Sequence, residues 1–139
     1  MNNFSKKHNT NESPDPSIKE KIFSHTKNSE LPCAVAFKIA KELGVSAEKV
    51  GKTADLLNVR LTKCQLGLFG YTPEKKIIKP KNTIDPTIDS AIQKASVDNR
   101  LPCENAWDIA ASFRVPRMTI SSACESLGMK IDKCQLGAF

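Results

Sequence analysis

Apolar residues recur at helical spacing three times between residues 15 and 57. Ile18 and Ile22 stand four apart, and two longer stripes follow: Cys33, Ala36, Phe37, Ala40, Leu43, then Val50, Ala54, Leu57. This spacing predicts three amphipathic helices. The stretch "VRLTKCQ" after the third stripe alternates apolar and polar residues, which predicts a short strand or an extended tail.

The same pattern returns 70 positions later without a gap. Residues 15–69 align with residues 85–139, and the pentapeptide "KCQLG" occurs at Lys63–Gly67 and again at Lys133–Gly137. The second set of stripes contains Cys103, Ala106, Trp107, Ala110, Phe113, then Ile120, Ala123, Cys124, Leu127. We therefore predict a mainly all-α chain of two tandem three-helix repeats, each followed by a short extended or β tail. The two tails are candidates for pairing with each other as antiparallel strands.

Residues with strong capping preferences stand at the predicted helix boundaries. Asp15 and Asp85 each precede a proline, the arrangement expected of an N-cap and a first helical residue. Ser46 is the expected N-cap of the third helix, and Gly44 suits the turn before it. Arg114 stands at the position of that glycine in the second repeat, where it needs a positive φ if the turn is kept.

The stretch "FKIAKELGVSAEKVGKTADLLNV" resembles the helix-turn-helix of bacterial and archaeal transcriptional regulators. Ala40 stands where close helix crossing is needed, Gly44 at the turn, and Val50 where the next helix faces the core. The resemblance implies binding to double-stranded DNA, with the third helix entering the major groove. By that geometry the implied DNA-binding residues are Ser46, Lys49, Lys52, Arg117, Thr119, Ser121 and Ser122.

Charge is distributed unevenly along the chain. The net charge is +6, and the first repeat carries nine Lys and Arg against six acidic residues, whereas the second carries six against seven. Residues 70–84 contain Pro together with Lys75, Lys76, Lys79 and Lys81, which predicts an exposed basic linker that attracts phosphates. Residues 1–14 are predicted to be a disordered polar tail. The repeat itself predicts an internal pseudo-dimer, and a homodimer stays open.

Four of the five cysteines correspond between the repeats: Cys33 with Cys103 and Cys64 with Cys134. One interpretation is a shared four-thiolate site for zinc or an iron–sulfur cluster. The other is packing, since Cys33, Cys103 and Cys124 lie on apolar stripes. No cofactor is therefore predicted as the main interpretation, and a redox role for Cys64 and Cys134 remains an alternative.

The sequence lacks the residues that several functional classes require. His8 and His25 are the only histidines, and the chain has no phosphate-binding glycine loop or paired acids, so we do not expect an enzyme. No run of about 18 apolar residues or signal sequence is present, so we expect a cytoplasmic protein with no membrane partner. Two hypotheses remain: a DNA-binding transcriptional regulator, or a protein-interaction, metal-sensing or redox-sensing module that does not bind DNA.

Overall fold

A computed structural model describes residues 12–81 and 83–139, which form six helices and four short strands. The first set is α1 (Pro16–His25), β1 (Glu30–Pro32), α2 (Cys33–Leu43), α3 (Ala47–Leu56) and β2 (Arg60–Thr62). The second set is α4 (Pro86–Ala95), β3 (Arg100–Pro102), α5 (Cys103–Phe113), α6 (Arg117–Leu127) and β4 (Lys130–Asp132). The mainly α-helical class is as predicted. Of the predicted tail, residues 1–11 lie outside the described residues.

The order of elements repeats at the 70-residue offset of the sequence match. Each set contains one helix, a short strand, two helices joined by a tight turn, and a second short strand. The sequence pattern predicted the helices and the strand after the third helix. It did not predict β1 and β3, because "ELP" and "RLP" are too short to show a strand period and run directly into a helix.

The short strands pair in parallel within each set, which corrects the predicted antiparallel pairing between the two tails. Leu31 of β1 lies opposite Leu61 of β2, and Leu101 of β3 lies opposite Ile131 of β4. A parallel partner needs a long connection, which the α2–α3 and α5–α6 helix pairs supply. Each tail strand therefore closes onto the strand that precedes its own helix pair.

The capping residues act as the sequence predicted. The Asp15 carboxylate accepts hydrogen bonds from the backbone N–H groups of Ser17 and Ile18, and Asp85 accepts one from Thr87. Ser46 Oγ accepts from the N–H of Lys49 at 3.1 Å. Arg114 adopts φ 55° and ψ 44°, close to the φ 65° and ψ 33° of Gly44, so the turn between the helices is kept in both sets.

The chain divides into two compact units, and each contains a short piece of the other repeat. Within the described residues, unit 1 comprises residues 12–64 together with Gln135–Ala138. Unit 2 comprises Gln65–Cys134 together with Phe139. The division therefore falls inside each "KCQLG" pentapeptide, whereas the sequence placed the boundaries after Phe69 and at Asp85. The "QLG" residues of each repeat belong to the unit built on the other repeat.

Each core combines apolar side chains from its helices with one leucine from the exchanged segment. In unit 1, Ile18, Ile39 and Val50 are fully buried, and Leu136 is almost fully buried as well. In unit 2, Ile92 and Ile120 are fully buried together with Leu66. Among the described residues, no helix has both the length and the apolar character that a bilayer span requires.

The segment that follows Gly67 packs in unit 2, although the sequence predicted an exposed linker. Ile78 is buried, and the N–H of Ile77 donates to the Gly67 carbonyl at 2.9 Å. The Lys81 N–H donates to Ser126 Oγ, which in turn donates to the Lys81 carbonyl. The apolar residues between the lysines explain the difference, because the side chains of Ile77 and Ile78 pack beside Gly67, 3.2 Å and 2.6 Å from the place where a Cβ on that glycine would stand.

Candidate nucleic-acid interface

The amino-terminal end of α3 in unit 1 is exposed and begins directly after the Gly44 turn. Ser46, Glu48 and Lys49 are exposed and Lys52 is half-buried, while Val50 and Ala54 face the core on the opposite side of the helix. The helical period sets this division, because residues 50 and 54 are one turn apart on the apolar stripe. These exposed and half-buried residues form one accessible strip of the helix. We call it the α3 strip, and it consists of Ser46, Glu48, Lys49 and Lys52.

Acidic side chains lie against both lysines of the α3 strip. The Nζ of Lys52 is 2.5 Å from a carboxylate oxygen of Glu12, and the Nζ of Lys49 is 3.8 Å from Asp15. All four side chains are partly exposed to solvent, so each pair contributes at most about 1 kcal/mol to stability. The pairs matter more for binding, because an approaching phosphate must compete with Glu12 and Asp15 for the same cations.

The next face of α3 is closed by the exchanged segment. Gly51 and Asp55 are buried, although they lie one turn apart beside the α3 strip. A Cβ atom on Gly51 would lie only 1.7 Å from the carbonyl oxygen of Leu136, so the helix and the segment touch backbone to backbone. This face of α3 is therefore covered by the exchanged segment, whereas the amino-terminal end of the helix is exposed.

The corresponding face of α6 corrects one of the predicted DNA-binding residues. Ser121 is 0% exposed, and its hydroxyl donates to the Leu66 carbonyl at 2.6 Å. Its helix position led to the prediction, since Ser121 lies on the face that a helix-turn-helix presents to DNA. The "QLG" residues of the first repeat cover that face in unit 2, so Ser121 holds a peptide segment and cannot reach a base or a phosphate.

The other predicted DNA-binding residues of α6 remain partly accessible to solvent. Each of them is either half-buried or already in contact with neighbouring side chains. The Arg117 guanidinium lies 3.5 Å from the centroid of the Trp107 ring and donates to the Gln65 side-chain oxygen at 3.2 Å. Thr119 and Ser122 are half-buried. A guanidinium stacked on an indole is held in one orientation. Arg117 would have to leave Trp107 and Gln65 in order to read a guanine edge.

The lysines between the repeats are exposed, as the basic-linker prediction requires. Lys75, Lys79 and Lys81 have exposed side chains, and Lys76 forms an ion pair with Glu125 of α6. Because the backbone of this segment is docked, its positive charges are held on the surface of unit 2.

The five cysteines are free thiols, and burial differs among them. Cys33, Cys64, Cys103 and Cys124 are buried, and Cys134 is half-buried. Burial, with a smaller contribution from Glu125, raises the pKa of the Cys124 thiol to about 12, so this side chain is protonated at neutral pH. Residues 12–81 and 83–139 contain no group of three His, Cys, Asp or Glu side chains arranged for one metal ion.

Sequence reasoning missed the residues that cover the predicted recognition helices. Leu66 and Leu136 appeared only as part of the repeated pentapeptide, and nothing in a local pattern indicates that they pack on the other repeat. Gly51 was the available signal, because a glycine inside a helix often marks a close approach of another backbone. Glu12 was also missed, since one acidic residue in a polar tail has no distinguishing pattern.

Comparison with family models, with curated proteins and with solved structures finds no match for this chain. The residues described above are therefore the basis for a functional proposal.

Proposed function

We propose that this protein binds double-stranded DNA and acts as a transcriptional regulator, docking through the amino-terminal end of α3 in unit 1. One observation carries the proposal: Ser46, Lys49 and Lys52 are accessible on a helix that begins immediately after a tight left-handed turn. In helix-turn-helix proteins the amino-terminal residues of the second helix of the motif contact the base edges. The α3 strip supplies two cations and a hydroxyl at that end.

The charge of the first repeat supports an anionic partner. Its nine Lys and Arg against six acidic residues leave it positive, whereas the second repeat is slightly negative. Lysines that neutralise phosphates release condensed counterions from the duplex, which gives sequence-independent affinity. In this proposal unit 1 makes the principal contact, and the exposed lysines of residues 75–81 add a second region of positive charge.

The proposal is tested by fluorescence anisotropy of the full chain with labelled genomic duplexes over a salt series. The double variant K49A/K52A should bind more weakly and should lower the slope of log affinity against log salt by about 2, since each lost phosphate contact removes about one unit. The matched control K27A/K38A removes two exposed lysines from elsewhere in the same repeat. Its affinity should fall much less.

Two results would overturn the proposal. One is the absence of salt-dependent duplex binding by a folded wild-type chain. The other is an equal loss of affinity in K49A/K52A and K27A/K38A, which would indicate diffuse charge attraction without a docking helix. Circular dichroism of each variant verifies that the helices are retained.

A second candidate function, binding of another protein, is favoured by a different observation. The face of α3 at Gly51 and the face of α6 at Ser121 both hold an extended "QLG" segment, with the leucine buried in each case. These helices therefore already bind peptide. If the wild-type chain binds no duplex but co-purifies with a defined protein, and K49A/K52A abolishes that association, the α3 strip is a protein-binding surface.

A further inference from the structure

Unit 2 contains a half-open cavity of about 540 Å³ beside the carboxyl-terminal half of α6. Cys124 and Ser121 lie along one side, and the residues that follow the helix, Gly128 to Ile131, line the next side. Leu68, Phe69 and Phe139 also line the cavity, with the two phenylalanine rings edge to face at 6.0 Å between centroids, and Lys76 and Glu125 complete the lining. Volumes of about 300–1,000 Å³ are usual for small-molecule sites.

The lining combines an apolar interior with a cation at its edge. Carbon and sulfur surface comes from Leu68, Phe69, Cys124, Met129 and Ile131. Cys124 as a residue is 1% exposed. Lys76 is neutralised by its ion pair with Glu125. Lys130 is exposed and forms no ion pair with any residue that the structure describes. Among the lining residues, Lys130 is therefore the side-chain cation that has no carboxylate partner in the described part of the chain.

The other repeat differs at the residues that form this cavity. The counterparts of Ser121, Cys124, Gly128 and Met129 are Gly51, Ala54, Asn58 and Val59. Gly128 has a positive φ of 67° and no atom within 4 Å of the place where a Cβ would stand, so it leaves open space. Asn58 has nearly the same φ, 56°, and carries a side chain there. At this position the second repeat has the smaller residue, whereas Ser121, Cys124 and Met129 are larger than their counterparts in the first repeat.

We propose that this cavity binds a small apolar carboxylate, with its hydrocarbon or aromatic part against Met129, Ile131 and Phe69 and its carboxylate at Lys130. An uncharged apolar molecule would leave the ammonium of Lys130 unused, and a polar one would lose water against the apolar lining without compensation. The ligand class follows from these two features together. The site lies in unit 2 and is separate from the α3 strip, so it goes beyond the proposed DNA contact.

The probe is decanoate, added to the isotopically labelled full chain below its micelle concentration and followed by two-dimensional NMR. Saturable shifts should appear at the amides of Gly128 to Ile131 and of residues 68–69. Decanol, which has the same chain and no charge, should bind about tenfold more weakly, because a hydrogen bond to a charged group contributes about that factor.

Four variants make the test specific. K130A should weaken decanoate binding about tenfold, and K130R should retain it, since the positive charge remains. R60A is the matched control, because Arg60 is the counterpart of Lys130 in the first repeat and does not line the cavity. G128N narrows the cavity with a residue that the first repeat carries at the same backbone conformation, so it should fold and bind more weakly.

The proposal is overturned by non-saturable shifts, by shifts spread over both units, or by equal effects of K130A and R60A. It is also overturned if decanol binds as tightly as decanoate, because the carboxylate would then make no contact with Lys130. Each outcome is independent of DNA binding, which is measured separately with K49A/K52A.

Discussion

Gly51 and its counterpart Ser121 lie beneath the same kind of segment but contact it differently. Gly51 lets the Leu136 carbonyl approach the helix backbone, and Ser121 donates a hydrogen bond to the Leu66 carbonyl. The two residues occupy equivalent positions, so a single difference in side chain separates close backbone contact from a directed hydrogen bond. Each keeps one peptide segment on one helix.

We expect G51A and S121A to destabilise the protein for different reasons. Helix propensity alone would make G51A stabilising by about 1 kcal/mol. The contact with the Leu136 carbonyl should reverse the sign and give a net loss of about 2 kcal/mol, since overpacking against backbone forces a shift. S121A should cost about 1 kcal/mol through the lost hydrogen bond. Urea unfolding measures both, and a stabilised G51A would contradict the close approach.

Arg114 holds a left-handed conformation that glycine adopts at less cost. Its φ of 55° matches the turn at Gly44, and a residue with a Cβ in that region is strained by about 1–2 kcal/mol. R114G should therefore raise the free energy of unfolding by about 0.5–1 kcal/mol, because the greater flexibility of the unfolded glycine offsets part of the gain. The mirror variant G44A should lower it by about 1 kcal/mol. Thermal unfolding of both variants checks these two predictions. A change of the same sign in R114G and G44A would exclude strain as the cause.

At the scale of the element, helix boundaries are determined locally and strand partners are not. Asp15, Ser46 and Asp85 cap their helices through hydrogen bonds that span only two or three residues. The short strands depend on residues about 30 positions away, as Leu31 paired with Leu61 illustrates. A strand of three residues is too short for its sequence to identify the partner strand. A helix cap, in contrast, can be recognised from the adjacent residues.

Because of the two capping aspartates, the stability of the folded protein should decrease as the pH falls. Hydrogen bonds from the Ser17 hydroxyl and the Ile18 N–H lower the pKa of Asp15, and those from the Thr87 hydroxyl and N–H lower the pKa of Asp85. A lowered pKa in the folded state stabilises the protein above the unfolded pKa of about 3.9. That contribution is lost as the pH falls through the lower, folded value.

The variant D15N/D85N keeps a good N-cap but does not titrate. Its melting temperature should therefore fall less than that of the wild type between about pH 7 and pH 3. Circular dichroism melts at both pH values give the comparison. Equal losses in the two proteins would show that other carboxylates dominate acid unfolding.

At the scale of the whole molecule, each repeat completes the unit built on the other. Leu136 belongs to unit 1 and Leu66 to unit 2, and both are almost fully buried. A chain with this connectivity requires both repeats to be present before either unit is complete. The duplicated pentapeptide is therefore used twice for one purpose, which is to insert a leucine into a unit formed mainly by the other half of the sequence.

The exchange of segments between the two repeats predicts which helices are destabilised when a buried leucine is replaced by alanine. L136A should lower hydrogen-exchange protection first in α1, α2 and α3, although residue 136 belongs to the second repeat by sequence. L66A should act first on α4, α5 and α6. Truncation of a buried leucine to alanine costs about 2–5 kcal/mol, which is large enough to resolve. If each variant loosened its own repeat, the assignment of the exchanged segments would be wrong.

The sequence by itself determined the helices, their caps and the 70-residue repeat, because helical period and capping are local properties. In the sequence, Val50 and Ala54 mark the buried side of α3, and Arg114 marks a turn that needs a positive φ. The accessible lysines of the α3 strip followed from the same period. These features need only a few neighbouring residues to be recognised.

Tertiary structure alone decided which surfaces stay accessible. Ser121 has a helix position that the helix-turn-helix resemblance assigned to DNA contact, yet a segment 55 residues away covers it. The cavity beside Met129 likewise depends on Phe69 and Phe139, which no local pattern connects with α6. The physical reason is that burial is set by contacts between distant segments, and identical pentapeptides contain no information about which partner each will cover.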